Sequence, residues 1–205
     1  ACGCTQNPAY TWKMINSEDA GERAYVLGTL DEILQEESDG NQALIALQRK
    51  LIGRIAESFL PLYEQSHGRY GYVSIQGDPL HEDTDTIVRS ARFNREAGPN
   101  IMCKIPVTED GLKAIAILAA ESIPINATEV MSVRQALDVC EVYRNATRNL
   151  ERPAPIYYSH ISGILDEYLQ KQVQRDQIDI CPDVLWQAGI ASAKKTYYLT
   201  KAKYP

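Results

Sequence analysis

Two kinds of hydrophobic pattern divide the chain near residue 70. Between residues 11 and 66, apolar residues recur at helical spacing, with Ser17 as the candidate N-cap of a first helix and Asp39-Gly40 separating it from a second. After residue 70, short apolar runs alternate with helix-like segments; the runs are YGYVSIQGD, NIMCKIPV, IPINATEV and APIYYSHISG. Strands that alternate with helices over short connections predict βαβ units and a parallel sheet, which is an α/β fold.

Two architectures fit this alternation, a doubly wound sheet and a (β/α)8 barrel. The strand–helix units recur about every 25 to 30 residues, as crossover units do. No G-x-G-x-x-G and no G-x-x-x-x-G-K-[ST] follows any of the predicted strands. The missing phosphate-binding loops disfavour a nucleotide-binding sheet.

Each of three successive strands has an aliphatic face and a polar face, because side chains alternate along a strand. In NIMCKIPV one face carries Ile101, Cys103, Ile105 and Val107, and Lys104 lies on the other. The same alternation places Gln76, Asn126 and Thr128 on the polar faces of the neighbouring strands. If helices cover the aliphatic faces, these polar side chains gather on one side. In a barrel that side is the interior, near the C-terminal mouth where active sites lie.

The lysine in the middle of an apolar strand, Lys104, is the most unusual of these residues. Desolvation lowers the pKa of an amine, and a neutral amine near pH 7 is a nucleophile that forms Schiff bases with carbonyl compounds. The alternatives are a lysine that reaches solvent from the end of its strand, or one that pairs with a carboxylate. The residues alone leave these alternatives open.

Composition narrows the class of protein but not its activity. The 205 residues carry a formal net charge of −6, which argues against binding to nucleic acid or to anionic membranes. No apolar run approaches the roughly 18 residues that a membrane-spanning helix needs, and the first residues do not form a signal peptide. The five cysteines are odd in number and irregular in spacing, so a reducing cytoplasm is expected and a zinc site is not.

Four stretches of the chain resemble the transaldolase family, including its fructose-6-phosphate aldolase branch. IMCKIPVTEDGLKAI is similar to the family's Schiff-base lysine segment, and IPINATEVMSVRQAL to the strand that follows it. VSIQGD resembles the third-strand motif, with Gln76 in place of the classical glutamate, as in the aldolase branch; TQNPAY resembles the turn after the second strand. The order and spacing agree across residues 3–140, and more weakly to roughly residue 200.

The resemblance implies roles for individual residues. Lys104 corresponds to the Schiff-base nucleophile, and Gln76 and Thr128 to residues that orient a catalytic water for proton relay. The positions that it implies for substrate binding are Asn7, Asn126 and Ser159. His160 departs from the family's segment and is a further candidate for substrate binding or proton relay. For His160 the alternative is a structural role, as a histidine bonded to the backbone.

The resemblance also implies an activity, namely transfer or aldol cleavage of a dihydroxyacetone unit from a ketose such as fructose 6-phosphate or a non-phosphorylated analogue. The arginine that holds the substrate phosphate in transaldolases has no counterpart around residues 162–164. A substrate without phosphate there, or an anion bound elsewhere, is therefore favoured.

No metal or organic cofactor is expected, because the lysine supplies the electrophilic assistance. This predicts a cytoplasmic enzyme of carbohydrate metabolism, in the pentose phosphate pathway; the alternative is a non-catalytic barrel that binds a sugar or a protein partner.

The resemblance predicts a single barrel domain over residues 1–205, made of strands two to six. A complete barrel takes about 250 residues, so the first strand, which carries the family's proton-shuttling aspartate, and the last two strands are expected to be missing. The helices between residues 17 and 66 either complete the core or form contacts in a homo-oligomer.

Overall fold

A computed structural model describes residues 2–204 as one curled, fully parallel sheet with helices between its strands. The strands are β1 (Gly3–Thr5), β2 (Tyr72–Gln76), β3 (Ile101–Pro106), β4 (Ile125–Val130) and β5 (Ile156–His160). The α/β class predicted from the alternating pattern is confirmed.

Helices occupy most of the chain between the strands. They are α1 (Ala9–Ile15), α2 (Ala20–Leu34), α3 (Gly40–Gln65), α4 (Thr84–Arg95), α5 (Glu109–Ala120), α6 (Val133–Thr147), α7 (Gly163–Asp176), α8 (Pro182–Leu185) and α9 (Ala188–Lys203). The predicted boundary at Asp39-Gly40 is confirmed, because the Asp39 carboxylate caps the start of α3. The prediction that Ser17 caps the first long helix is wrong. Asp19 caps α2 by accepting a hydrogen bond from the Glu22 amide, which leaves Ser17 in the link after α1.

The strand order distinguishes between the two predicted architectures. The sheet runs β1-β2-β3-β4-β5 without a reversal, whereas a doubly wound sheet reverses its order at a switch point. Strands that follow one another in sequence order around a curled sheet are the arrangement of a (β/α)8 barrel. The fold is therefore part of such a barrel, as expected. That residues 1–205 form one domain stays a prediction.

The aliphatic faces of the central strands form the core beneath the helices. Ile101, Cys103 and Ile105 on β3 are each at most 1% exposed, and Ile125 and Ala127 on β4 are fully buried. Helices α4, α5 and α6 cover this face with small and branched apolar side chains that pack around β3 and β4. Because this face is closed by helices, the opposite face of the sheet is the one that carries polar side chains.

Candidate active site

The inner face of the sheet carries a row of polar side chains centred on Lys104. Register pairs Gln76 on β2 with Lys104 on β3, and Lys104 with Asn126 on β4. Gln76 and Asn126 are each 6% exposed, and Lys104 is partly buried between them. The alternation seen in the sequence is thus reproduced in space, and the three side chains lie on neighbouring strands.

The Lys104 amine lies in a partly desolvated position. Its Nζ donates a hydrogen bond to the Gln6 backbone oxygen at 3.2 Å, in the segment that follows β1. Burial lowers the pKa of Lys104 below its ordinary value, and the negative charge of Glu129 works in the opposite direction. A larger share of neutral amine is available at neutral pH than for an exposed lysine. Nucleophilic attack on a carbonyl requires this neutral form.

Asn126 is held in one orientation by hydroxyl groups on three strands. Its Oδ1 accepts a hydrogen bond from Ser159 Oγ at 2.9 Å. Its Nδ2 lies 3.4 Å from Ser74 Oγ and 3.5 Å from Thr5 Oγ1, and Ser74 in turn donates to Thr5 at 2.6 Å. The network joins β1, β2, β4 and β5 across the inner face, so the amide beside Lys104 has a defined direction for hydrogen bonding.

Gln76 connects the inner row to an acidic side chain, Glu82, in the loop after β2. The Gln76 backbone oxygen accepts from Gln48 Nε2 at 3.0 Å, which ties the end of β2 to α3. Burial raises the pKa of Glu82, the nearby carboxylate of Glu129 adds to this rise, and the side chain of Gln76 opposes it. Glu82 is thus part of the same polar surface as Lys104.

The loop that carries Glu82 is anchored by a buried carboxylate. Asp78 accepts hydrogen bonds from Asn41 Nδ2 at 2.8 Å and from the Leu80 amide at 2.9 Å. The same carboxylate lies 2.8 Å from Nδ1 of His81. A carboxylate fixed by three partners holds the loop against α3, and therefore gives Glu82 a defined position at the mouth of the inner face.

The other predicted residues lie at the same end of the sheet. Thr128 is buried and pairs with Pro106 at the ends of β4 and β3. Asn7 is exposed and follows Gln6, whose carbonyl binds the Lys104 amine. Ser159 contacts Asn126 directly. The structure therefore places Gln76, Lys104, Asn126, Thr128 and Ser159 on the inner face of the sheet, and Asn7 in the segment after β1 next to Gln6.

His160 lies on the opposite face of β5, and its role in substrate binding stays a prediction. Ser159 points to the inner face, so the next residue on β5 points outward. There His160 Nε2 lies 3.2 Å from Ser192 Oγ on α9, and its buried Nδ1 has no hydrogen-bond partner among the described residues. Burial lowers the pKa of His160, which favours the neutral ring. This arrangement favours a structural role, as a packing contact between β5 and α9.

Sequence reasoning missed three contributors to the site. The Gln6 carbonyl is a backbone group, so a search for functional side chains does not find it. Glu82 lies in a loop, where the alternation of a strand does not predict which way a side chain points. Glu129 has an acidic side chain next to Thr128, but simple alternation would direct it to the outer face. The signal that could have found it is its charge, because a carboxylate is costly to bury under helices.

Residues 2–204 contain no cluster of three or more histidine, cysteine or acidic side chains that could hold a metal ion. Within the same residues, no helix combines the length and apolarity needed to cross a membrane. The arrangement on the inner face offers an amine, amides, hydroxyls and carboxylates. These groups can perform proton transfer and amine–carbonyl chemistry.

Comparison with known proteins gives consistent matches along the chain. A family model described as transaldolase/fructose-6-phosphate aldolase matches residues 1–204. The transaldolase of Mycobacterium leprae (strain Br4923) is 33% identical over 145 residues, covering 66% of this chain and 38% of the relative. The transaldolases of Helicobacter pylori (strain HPAG1) and Trichodesmium erythraeum (strain IMS101) are each 27% identical, covering 96% and 95% of this chain and 57% and 54% of their own. The chain thus spans about half the length of the curated relatives it matches.

Proposed function

The chain belongs to the transaldolase/fructose-6-phosphate aldolase family, and we propose that it cleaves or transfers a dihydroxyacetone unit of a ketose through a Schiff base on Lys104. The observation that carries the proposal is the partly buried amine, flanked in register by Gln76 and Asn126 on the inner face of the sheet. A lysine in this position has the lowered pKa and the fixed polar neighbours that imine chemistry uses.

The reaction begins when the neutral Lys104 amine attacks the C2 carbonyl of the ketose. The resulting carbinolamine loses water and becomes a protonated imine. Removal of the proton from the C4 hydroxyl then breaks the C3–C4 bond, C4 leaves as an aldehyde, and the bonding electrons pass to the imine to give an enamine. In a transferase the enamine attacks an acceptor aldehyde to give a new imine, whereas in an aldolase the enamine is protonated. In both cases water then hydrolyses the imine, which releases the product and regenerates the Lys104 amine.

The surrounding side chains have separate tasks in this scheme. Gln76 and Thr128 orient the water that relays the C4 proton, and both are buried beside the lysine strand. Asn126, fixed by Ser159 and the hydroxyls beneath it, binds a substrate hydroxyl in one orientation. Asn7 binds a second hydroxyl from the turn after β1. Fixed donors of this kind add to catalysis because they need no reorganisation during the reaction.

The substrate class is a ketose sugar or its phosphate. The segment after β5, where transaldolases carry a phosphate-binding arginine, has Ser162, Gly163 and Ile164. We therefore expect the C1–C3 portion of the ketose, which reacts with the lysine, to dominate recognition within this chain. Dihydroxyacetone contains that portion alone and makes a suitable probe beside fructose 6-phosphate.

Reductive trapping tests the proposal. The folded chain is incubated with dihydroxyacetone or fructose 6-phosphate, reduced with borohydride and digested, and the peptides are weighed. We expect a reduced three-carbon adduct on the peptide that contains Lys104 and none on the peptide with the exposed Lys113, which serves as an internal control. If neither ketose gives an adduct at Lys104 in a sample whose circular dichroism shows folded helix, Schiff-base chemistry is excluded and a non-catalytic barrel is favoured.

A further inference from the structure

Strand β4 breaks its regular alternation directly after two of the site residues. The pairing between β4 and β5 shifts register between Ala127 and Val130, and Glu129 within this interval has a φ of 61°. Three other described non-glycine residues have positive φ, namely His67, Ser122 and Gln177, and each follows the end of a helix, where left-handed residues are common. Glu129 is different because it lies inside a strand.

The irregularity changes the direction of the Glu129 side chain. In a regular strand Glu129 would share the outer face with Ala127, which is fully buried under the helices. Instead Val130, also fully buried, takes the next outer position. One extra residue is therefore accommodated between them, as in a β-bulge, and bulges redirect side chains beside active sites. Glu129 is left partly exposed at the mouth of the inner face.

The backbone at Glu129 is tied to the strand that carries Lys104. Gln135 Nε2 donates to the Glu129 backbone oxygen at 3.3 Å and to the Val107 backbone oxygen at 2.9 Å. Gln135 is itself fixed, because it completes a capping box with Ser132 at the start of α6. The amide thus links the ends of β3 and β4 and holds the bulge in place. A left-handed glutamate kept by such a support is the kind of strain that marks functional sites.

Most of the groups around Lys104 are neutral, and two acidic side chains supply the negative charge. Its neighbours in register, Gln76 on β2 and Asn126 on β4, are neutral, and so is the Gln6 carbonyl after β1. Glu129 raises the pKa of Lys104 against the effect of burial. Glu82, in the loop after β2, lies near enough to Glu129 for the two carboxylates to interact. Glu82 follows β2 and Glu129 lies within β4, so the two acidic residues belong to the strands on either side of β3.

We propose that Glu129 is a positioning residue for Lys104: the strained bulge in β4 turns its carboxylate out of the helix-covered face toward the mouth of the site, where it acts as the acidic partner of the amine on the neighbouring strand. This inference rests on the proposed function for its purpose, because the protonated imine formed on Lys104 is a cation that the same carboxylate stabilises. The Glu129 carboxylate thus acts on the protonation of the free amine and on the positive charge of the imine, although it forms no bond to the substrate.

The test measures the Lys104 amine without any ketose. The chain is labelled with acetic anhydride across a series of pH values, and peptide masses give the acetylation rate of Lys104 relative to exposed lysines. Because only the neutral amine reacts, Glu129→Gln is expected to shift the labelling profile of Lys104 to lower pH and so raise its relative rate below its pKa. Glu109→Gln, on the exposed start of α5, is the matched control and should leave the profile of Lys104 unchanged.

A second variant separates the effect of charge from that of backbone strain. Glu129→Gly removes the carboxylate and also accepts positive φ at no steric cost, so it should shift the labelling of Lys104 as Glu129→Gln does while raising the melting temperature. An unchanged labelling profile in both variants would overturn the proposal, whatever happens to stability. The outcome is independent of ketose trapping: a labelling shift without any ketose adduct would retain Glu129 as the charge partner and reject the Schiff-base function.

Discussion

Replacement of Lys104 by methionine is expected to lower ketose turnover by at least about 10³-fold, because removal of a covalent nucleophile leaves only binding and polarisation by the surrounding groups. No other described side chain in the inner row can form an imine, since Gln76 and Asn126 flank the lysine with amides. Turnover is measured as aldehyde release from fructose 6-phosphate, with and without an acceptor aldehyde, so that both lyase and transferase activities are detected.

The same substitution is expected to leave the melting temperature unchanged or higher. Burial disfavours the ammonium form of Lys104, as its lowered pKa records, and methionine matches the length of the lysine stem without carrying a charge. Loss of activity with retained stability is characteristic of a residue that serves function at some cost to the fold. The matched control is Lys113→Met on α5, where the amine contacts the exposed carboxylates of Glu109 and Asp110. If Lys104→Met kept a tenth or more of the activity, the lysine could not be the nucleophile.

The inner row was predictable from sequence because it depends on one local rule. Side chains alternate with a period of two along a strand, and the aliphatic face of each strand fixes which parity is buried under helices. Lys104, Gln76 and Asn126 follow from that rule once the strands are recognised. Their pairing in register then results from the parallel order of β2, β3 and β4, which short crossover connections favour.

The residues that escaped prediction are those where the local rule fails. Glu129 faces the mouth only because β4 bulges, and a bulge depends on contacts with β5 and with Gln135 that lie outside the strand itself. Glu82 is placed by a loop anchored through Asp78 to α3, a contact that joins residues 37 positions apart in sequence. For His160 the sequence left substrate binding and a structural role open, and alternation places it on the face of β5 opposite to Ser159.

The mutation with the largest expected effect on stability is Gly111→Ala in the first turn of α5. A Cβ at this position would lie 1.8 Å from the Pro106 backbone oxygen and 3.2 Å from the Thr108 hydroxyl that caps the helix. Backbone cannot move aside as a side-chain tip can, so the junction between β3 and α5 must shift. We expect a loss of about 3 kcal/mol in the free energy of unfolding, measured by urea denaturation. Because Pro106 ends the strand that carries Lys104, the shift should also reduce trapping of ketose.

The controls are glycine-to-alanine substitutions at two other helical positions, where the same chemical change is expected to increase stability. At Gly28 in α2 and Gly53 in α3, apart from the adjacent residues and the backbone of the same helix, no atom lies within 4 Å of the Cβ position, so alanine meets open space there. In a helix interior, alanine is favoured over glycine by about 0.5–1 kcal/mol, and both variants should therefore be more stable than the parent chain. Equal stabilisation at positions 28, 53 and 111 would show that α5 does not approach β3 as closely as described. A loss confined to position 111 would locate the tight contact at the end of the lysine strand, where it fixes the distance between the Lys104 backbone and the mouth of the site.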